Sequence, residues 1–172
     1  MGLAADVGYA FPAPTRFQRL VQAFAASRVG AWMTPKTLVP ADRLATRLSR
    51  GRFSLPAVLA GLPVITLDTR GRRTGMVRSA HLIAVPIADT LALLGTNFGQ
   101  PRTPAWSLNL EAHPEATLSY RGVAREVRAR PADNDELSTI LATAAGLFPG
   151  TARYDDRIRL HRKLRVFVLE PA

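Results

Sequence analysis

The residues best suited to chemistry lie in one short stretch, where four arginines surround two glycines. They are Arg70, Arg72, Arg73 and Arg78, with Gly71 and Gly75. Guanidinium groups bind phosphate and carboxylate oxygens through paired hydrogen bonds, and backbone N–H groups of a glycine-rich turn can point at the same anion. The stretch lacks the spacing of a P-loop and lacks a dinucleotide fingerprint. We call it the arginine turn (residues 70–78), and it predicts either an anion site or a solvated hairpin tip.

A second candidate is the stretch from Gly95 to Trp106, which contains two glycines, two prolines and Asn97. A strand is expected to end at Gly95, and a short helix is expected to run from Trp106 to about Ala112. Backbone donors at a strand end beside a helix N-terminus suit a heterocycle that carries carbonyls and ring nitrogens. A loop of this length and composition is more often functional than a plain connection, although a core aromatic is the simpler interpretation of Trp106 alone.

Other residue types that support catalysis are scarce in this chain. It has no cysteine, which excludes disulfides, iron–sulfur clusters and thiolate nucleophiles. Its three histidines, His81, His113 and His161, are spaced too widely for a local zinc motif. No metal site is therefore predicted.

The composition bounds the class of protein and its partners. The chain has 172 residues, of which 47% are hydrophobic and 21% charged, so one domain with a packed core is expected. Its net charge is +10, and 21 of its 23 cations are arginines, which favours polyanionic partners. Nucleic acid is not expected, because aromatics do not interleave with the basic residues and no helix-turn-helix pattern appears. No secretory signal or membrane-spanning stretch is apparent, so a cytoplasmic protein is predicted.

The elements that would position the candidate residues are mainly short strands. The patterns predict strands at Val64–Asp68, Val77–Val85, Leu91–Gly95, Ala116–Tyr120, Val123–Arg130 and Val166–Leu169, and helices at Asp133–Leu147 and 152–163. On the second strand, Ser79, His81 and Ile83 would share a face. Strands this close in sequence indicate an antiparallel sheet or a small barrel, not a Rossmann unit.

The first 60 residues differ from the rest, because helical periodicity replaces the strand pattern. Helices are predicted at 15–33 and 41–50, and residues 1–62 carry eight cations against two aspartates. We therefore expect one domain in two parts, a helical extension over 1–60 and a barrel over 61–172. The basic helices either form a solvated layer or contact an anionic membrane, where each cation contributes about 1 kcal/mol.

Five segments of the chain match a known set of motifs in one consistent order. They are LDTRGRRTGMVR at 67–78, NFGQPRTPAWSLNL at 97–110, HPEA at 113–116, LFPG at 147–150 and VFVLEP at 166–171. The first is close to L-T-T-x-G-R-K-T-G-x-x-R, and the second to N-x-G-x-x-x-x-P-x-W-Y-L-N-L. From about residue 60 onward, the chain thus resembles the deazaflavin (coenzyme F-420)-dependent nitroreductase and quinone reductase family.

The resemblance implies a fold, a cofactor and a reaction. The fold would be a split β-barrel like that of FMN-binding proteins, in the α+β class but mainly β, with N-terminal and peripheral helices. The cofactor would be coenzyme F-420, an 8-hydroxy-5-deazaflavin with a phosphodiester and a γ-linked oligoglutamate tail. The enzyme would transfer a hydride from the reduced deazaflavin to a quinone-like or other hydrophobic acceptor, while the protein mainly orients the cofactor.

The resemblance also assigns residues to the site. The arginine turn would hold the phosphate and glutamates, and the following strand would line the cofactor. Residues 95–97, at the end of the next strand, and residues 105–109, around Trp106, would border the ring. The cofactor-binding residues expected on this basis are Arg72, Arg73, Thr74, Arg78, Ser79, Ala80, His81, Leu82, Ile83, Gly95, Thr96, Asn97, Ala105, Trp106, Ser107, Leu108 and Asn109.

The chain departs from the family pattern at positions that bear on the acceptor. Arg73 replaces the lysine of the turn, Ile83 replaces a tyrosine of the cofactor strand, and Ser107 replaces a tyrosine of the tryptophan segment. The expected substrate pocket consists of Ile83, Phe148, Thr151 and Tyr154. This pocket would be more apolar than in nitroimidazole-reducing members. Tyr154, which could donate a proton to a reduced acceptor, is the predicted catalytic residue.

Several alternatives remain open on the sequence alone. FMN, which binds the related fold, is a less favoured cofactor, because its single phosphate needs fewer cations than the arginine turn supplies. A non-catalytic protein of the same fold would hold a fatty acid, another lipid or the coenzyme. Either a monomer or a homodimer is expected, and the basic helices would mediate any peripheral contact with the inner face of the cell membrane.

Overall fold

An antiparallel sheet of seven strands dominates the computed structural model of the chain, which describes residues 2–11, 15–16, 20, 61–96, 102–147 and 163–172. The strands are β1 (Ile65–Arg70), β2 (Val77–Leu82), β3 (Val85–Ile87), β4 (Thr90–Leu94), β5 (Glu115–Tyr120), β6 (Val123–Pro131) and β7 (Val166–Pro171). Their spatial order is β2-β1-β5-β6-β7-β4-β3. The helices in the described ranges are α1 (Leu3–Asp6), α2 (Ala105–Ala112) and α3 (Asn134–Leu147). The predicted mainly-β architecture is confirmed.

Alternation of side chains along the strands builds the core. On β1 the burial pattern alternates, with Ile65, Leu67 and Thr69 inside and the intervening residues more exposed. Leu118 of β5 and Val127 of β6 continue the buried face on the neighbouring strands. Thr69 is buried although it carries a hydroxyl, and that hydroxyl is hydrogen-bonded to Arg78 and Asn109.

The sheet curls until its two edges meet. β2 and β3 lie at opposite edges in the strand order, yet Ile83 and Ala84 alone separate them in sequence. The backbone of Ala84 is fully buried, and the Tyr9 hydroxyl donates to its carbonyl at 2.9 Å and accepts from its N–H at 3.0 Å. The single strand predicted at Val77–Val85 is therefore two strands, because the link leaves the sheet ladder and pairs with a tyrosine instead.

The chain divides into two compact units. One comprises residues 1–9 and 65–172 and contains every strand named above, and the other comprises residues 10–64. In the first unit, Leu3, Val7 and Tyr9 are buried, so the first nine residues belong with the sheet. The predicted boundary between 1–60 and 61–172 stays a prediction, and the predicted helices at 15–33, 41–50 and 152–163 lie almost wholly outside the described residues.

No helix within the described ranges combines the length and the apolar character that crossing a bilayer requires. The cytoplasmic location stays a prediction, as does the membrane contact of the basic N-terminal helices, whose residues fall largely outside the description.

Candidate cofactor site

Backbone hydrogen bonds close the arginine turn between β1 and β2. The N–H of Gly71 donates to the Met76 carbonyl at 2.8 Å, and the N–H of Gly75 donates to the Gly71 carbonyl at 2.8 Å. Gly75 has a φ of +67°, which favours glycine, and a Cβ on Gly71 would lie 2.9 Å from the Met76 carbonyl oxygen. Both glycines are thus required by the turn itself.

Two arginines lie over these glycines from opposite faces of the sheet. The Arg70 guanidinium approaches to 3.8 Å from the position that a Cβ on Gly75 would occupy, and Arg78 Cγ approaches to 3.7 Å from the corresponding point on Gly71. Arg78 pairs with Thr69 and Arg70 pairs with Val77 in the ladder, so their side chains leave the sheet on opposite faces. The turn is therefore surrounded by cations.

The four arginines of the turn have no carboxylate partner among the residues that the structure describes. All four, Arg70, Arg72, Arg73 and Arg78, are exposed. By contrast, Arg128, Arg130 and Arg165 form ion pairs with glutamates at 2.5 to 2.8 Å. Four uncompensated cations on so short a segment repel one another, and a polyanion would relieve that repulsion.

A buried amide connects the turn to helix α2. Asn109 Oδ1 accepts from the Arg72 N–H at 3.1 Å, and Asn109 Nδ2 donates to Thr69 Oγ1 at 3.0 Å. The Thr69 hydroxyl in turn donates to the Arg78 carbonyl at 3.3 Å. The two ends of the turn and the helix are therefore held in one hydrogen-bond network, which accounts for the buried threonine.

The residues of β2 that were predicted to line the cofactor point to two opposite faces of the sheet. Ser79 donates to Asp68 Oδ1 at 2.5 Å, and His81 Nδ1 lies 3.2 Å from Thr66 Oγ1, both on the face that carries Arg70. Arg78, Ala80 and Leu82 point to the other face, where Asn109 contacts Thr69. One planar ring contacts a single face of a strand, so it would meet one of these sets and not both. Ile83 belongs to the link between β2 and β3.

Helix α2 and the end of β4 are joined by one arginine. The Arg165 carbonyl accepts from the Gly95 N–H at 2.8 Å, while its guanidinium binds Glu111 at 2.5 Å and Thr103 Oγ1 at 3.4 Å. Gly95 cannot easily carry a side chain, since a Cβ there would lie 3.1 Å from the Arg165 carbonyl oxygen. The predicted strand-end and helix segments of the site are thus brought together.

The buried face of α2 packs into the sheet. Trp106 is 9% exposed and meets Phe167 of β7 in a T-shaped contact with 6.0 Å between ring centroids. Ser107 is fully buried, and its hydroxyl donates to the Pro104 carbonyl at 2.9 Å. Leu108 is half-buried and Ala105 exposed. Helix α2 therefore contacts both β1, through Thr69, and β7, two strands that β5 and β6 separate in the sheet.

Some predicted residues lie outside the described residues, and some site residues were not predicted. Asn97, Phe148, Thr151 and Tyr154 are in the first group, so the acceptor pocket and the catalytic tyrosine stay predictions. Thr69 and Arg165 are in the second group, because their roles depend on distant partners. Arg70 belongs to the anion site predicted from the charge pattern, although the resemblance did not assign it to the cofactor.

The fold and this site define a class of protein: an antiparallel barrel with a cationic turn next to helix α2. The cations of the turn have no carboxylate partner among the described residues. The model of the F420H(2)-dependent quinone reductase family matches residues 43–171, and the chain belongs to that family. The predicted family is confirmed, and membership supports coenzyme F-420 as the cofactor and an F-420-dependent reductase as the enzyme class.

Individual relatives are more distant. The Mycobacterium tuberculosis protein Rv1261c, named an F420H(2)-dependent quinone reductase, is 29% identical over 69 residues, which are 40% of this chain and 46% of that protein. Rv3178 of the same species, named a putative F420H(2)-dependent quinone reductase, is 28% identical over 75 residues, or 44% of this chain and 63% of that protein. The chain thus spans about half the length of the curated relatives it matches.

Solved structures support the fold. A structure described as an F420-H2 dependent reductase (FDR-A) matches with a TM-score of 0.56 at 24% identity, covering 63% of this chain and 94% of the other. A chain described as a domain-swapped dimer matches with a TM-score of 0.57 at 22% identity, covering 76% and 99% respectively. The predicted split-barrel fold is confirmed by this likeness.

The residues present fit coenzyme F-420 at its anionic end. A phosphodiester followed by several carboxylates needs several cations without partners of their own, and the arginine turn supplies four among the described residues. The glycines of the turn also leave space for the arginine side chains to lie against the backbone. No group of three or more His, Asp or Glu side chains in the described ranges could hold a metal ion.

Proposed function

We propose that this protein binds coenzyme F-420 through the arginine turn and reduces a quinone-like, hydrophobic acceptor. The observation that carries the proposal is the set of four turn arginines without carboxylate partners in the described part of the chain, in contrast to the glutamate-paired arginines elsewhere. Family membership supports the same cofactor.

The charge of the turn favours F-420 over FMN. Four guanidinium groups exceed what one phosphate can engage, whereas a phosphodiester and an oligoglutamate offer several separated anionic groups. Because Arg70 and Arg78 approach the turn from opposite faces, the cations can contact different parts of an extended tail. The tail would therefore contribute much of the binding free energy.

The protein's own residues bind and orient the coenzyme in this mechanism. When bound, the reduced deazaflavin supplies the hydride, so no strong acid or base is required of the chain. The network of Asn109 and Thr69 fixes the turn against helix α2, and Arg165 fixes the end of β4 against the same helix. Ile83, Phe148, Thr151 and Tyr154 would shape the acceptor side, with Tyr154 as the proton donor.

A binding experiment tests the cofactor. Purified protein is titrated with F-420 and, separately, with FMN, while deazaflavin or flavin fluorescence is followed. The Arg72→Gln/Arg73→Gln variant should bind F-420 about a hundredfold more weakly, because two charge-assisted contacts are lost.

A matched variant controls for net charge. Arg121 and Arg125 are exposed; Arg121 lies in the turn between β5 and β6, at the end of these strands away from the arginine turn, and Arg125 pairs with Leu118, level with Leu67 in the middle of β1. Arg121→Gln/Arg125→Gln removes the same charge and should retain wild-type affinity. Equal losses in both variants would contradict a site at the turn.

A turnover experiment tests the reaction. Reduced F-420 should be oxidised by the protein when a soluble quinone is added, as followed by the return of deazaflavin absorbance. Tight F-420 binding with no oxidation over a range of quinones would instead favour a protein that holds the coenzyme without turnover.

A further inference from the structure

Asn109 is a buried amide whose two ends both have protein partners. It is 6% exposed and lies on the face of α2 that packs against the sheet. Its Oδ1 accepts from the Arg72 N–H at 3.1 Å, and its Nδ2 donates to Thr69 Oγ1 at 3.0 Å. An amide held in this way has little surface left for a ligand. Its orientation follows from these partners, because the reversed amide would place a donor against the Arg72 N–H.

Thr69 extends the contact to the far side of the arginine turn. Its side chain is buried, and its hydroxyl donates to the Arg78 carbonyl while accepting from Asn109. Three points are therefore joined through one amide: the start of the turn at Arg72, the strand before it at Thr69, and the strand after it at Arg78. Chains of buried hydrogen bonds act together, and the loss of one member disturbs the others.

Helix α2 is also fixed by contacts that do not involve Asn109. Trp106, three residues before Asn109 and on the same helix face, packs against Phe167 of β7. Arg165 adds an ion pair to Glu111 near the end of the helix. The helix is thus a rigid support between β7 and the arginine turn, and Asn109 is its connection to the turn.

We infer that Asn109 is a positioning residue, which holds the arginine turn in the orientation that grips the anionic tail of the coenzyme and does not itself contact the ring. This inference rests on the proposed function. It replaces the expectation from the sequence that Asn109 borders the deazaflavin.

The test compares two ligands, F-420 and an 8-hydroxy-5-deazaflavin that lacks the phosphodiester and the oligoglutamate. Asn109→Leu should weaken F-420 binding about tenfold and leave the affinity for the tail-less deazaflavin unchanged. A ring contact would lower both affinities equally. That outcome, or unchanged affinity for both ligands in a folded variant, would overturn the inference.

Two further variants protect the test against unfolding. Thr69→Val removes the hydroxyl between Asn109 and Arg78 at little change of volume, and it should lower the F-420 affinity several-fold with the same selectivity. The double variant should be no weaker than Asn109→Leu, because both act through one network. Additive losses would contradict the network.

Thr90→Val is the structural control, matched to Thr69→Val. Thr90 lies on β4, outside the candidate site, and its hydroxyl donates to the Leu169 carbonyl and not to the arginine turn. The variant should lower thermal stability without changing the ratio of the two affinities. If wild-type protein binds neither F-420 nor the tail-less compound, the proposed function fails as well. If it binds F-420 and Asn109→Leu shows no selective loss, the positioning role alone fails.

Discussion

Among the described residues some arginines pair with glutamates and others have no carboxylate partner, and the arginine turn brings four of the second kind together within nine residues. Arg130 is held by both oxygens of Glu136 and by Glu170, at 2.6 to 2.7 Å, where it connects β6, β7 and α3. Arg165 and Arg128 likewise each meet a glutamate. The turn arginines make no such pair in the described part of the chain. Because the four cations of the turn are close together and repel one another, a polyanion gains more there than at an isolated or glutamate-paired arginine.

Arg70 is one of the four turn arginines, although the family resemblance did not assign it to the cofactor. Its guanidinium lies over Gly75, on the face opposite to Arg78. Arg70→Gln should therefore weaken F-420 binding about three- to tenfold, as expected for one partly exposed charge contact, with little change in stability. Fluorescence titration measures the affinity, and thermal denaturation checks the fold.

The matched control for Arg70 is Arg121→Gln, which removes one exposed cation from the turn between β5 and β6, at the other end of these strands from the arginine turn. It should bind F-420 as the wild type does. An Arg70→Gln variant with unchanged affinity would place the tail on the other face of the turn.

At the scale of elements, the link between β2 and β3 depends on a residue far away in sequence. Tyr9 satisfies both backbone groups of the buried Ala84, 75 positions later. Burial raises the pKa of Tyr9 well above its usual range, so the phenol remains a donor. Its ring also packs edge-on against Tyr120, with 5.0 Å between centroids.

Tyr9→Phe should destabilise the protein by about 1 to 3 kcal/mol, because two buried backbone groups lose their partner while the ring packing remains. Urea denaturation measures the change in free energy of unfolding. Tyr120→Phe is the control, since the Tyr120 hydroxyl has no hydrogen bond among the described residues. Equal effects of the two substitutions would show that the hydroxyl of Tyr9 contributes nothing specific.

The start of helix α3 carries an acid-sensitive contact. Asp133 and Glu136 exchange side-chain hydrogen bonds with each other's backbone N–H groups, at 2.8 and 3.0 Å, which forms a capping box. Hydrogen bonds from Arg130, and then from the Asp133 N–H, lower the pKa of Glu136 from 4.5 to about 2. A lowered pKa means that the ionised form stabilises the fold above about pH 4.5 and that this contribution is lost as the pH falls towards 2.

Glu136→Gln should therefore be less stable than the wild type at neutral pH, by about 1 kcal/mol. The difference should shrink as the pH falls from about 4.5 to about 2, where the wild-type carboxyl becomes protonated. Thermal denaturation of both proteins across this range measures it. Glu126→Gln, an exposed residue outside this network, should show no comparable dependence. A constant difference between wild type and Glu136→Gln at every pH would contradict the ionised pair.

Local patterns could predict these elements but not how they meet. Period-two runs located most strands within two residues, and the acidic first turn located α3. The break at Ile83 and Ala84 was missed, because Tyr9 lies outside any local window. The same limit applies to the site. The sequence motifs located the arginine turn and helix α2. Their connection through Asn109 and Thr69 spans 40 positions and depends on the register of β1, which no local motif contains.

At the scale of the whole molecule, closure of the sheet explains why one short turn can organise a cofactor. Two residues join β2 and β3, which lie at the two edges of the sheet, and the turn between β1 and β2 is hydrogen-bonded to helix α2. A cationic turn supported in this way keeps its shape without a ligand. It therefore does not have to be ordered upon binding, which preserves affinity that ordering would otherwise cost.

The net charge of +10 adds a long-range component that salt can separate from the local contacts. F-420 carries more anionic groups than FMN, so its affinity should fall more steeply as salt rises from about 0.05 to about 0.5 M, where the screening length becomes shorter than the turn. In Arg72→Gln/Arg73→Gln the dependence of F-420 affinity on salt concentration should weaken towards that of FMN. Arg121→Gln/Arg125→Gln should keep the wild-type dependence. Parallel slopes for the two cofactors in the wild type would mean that the general field of the protein, and not the arginine turn, attracts the tail.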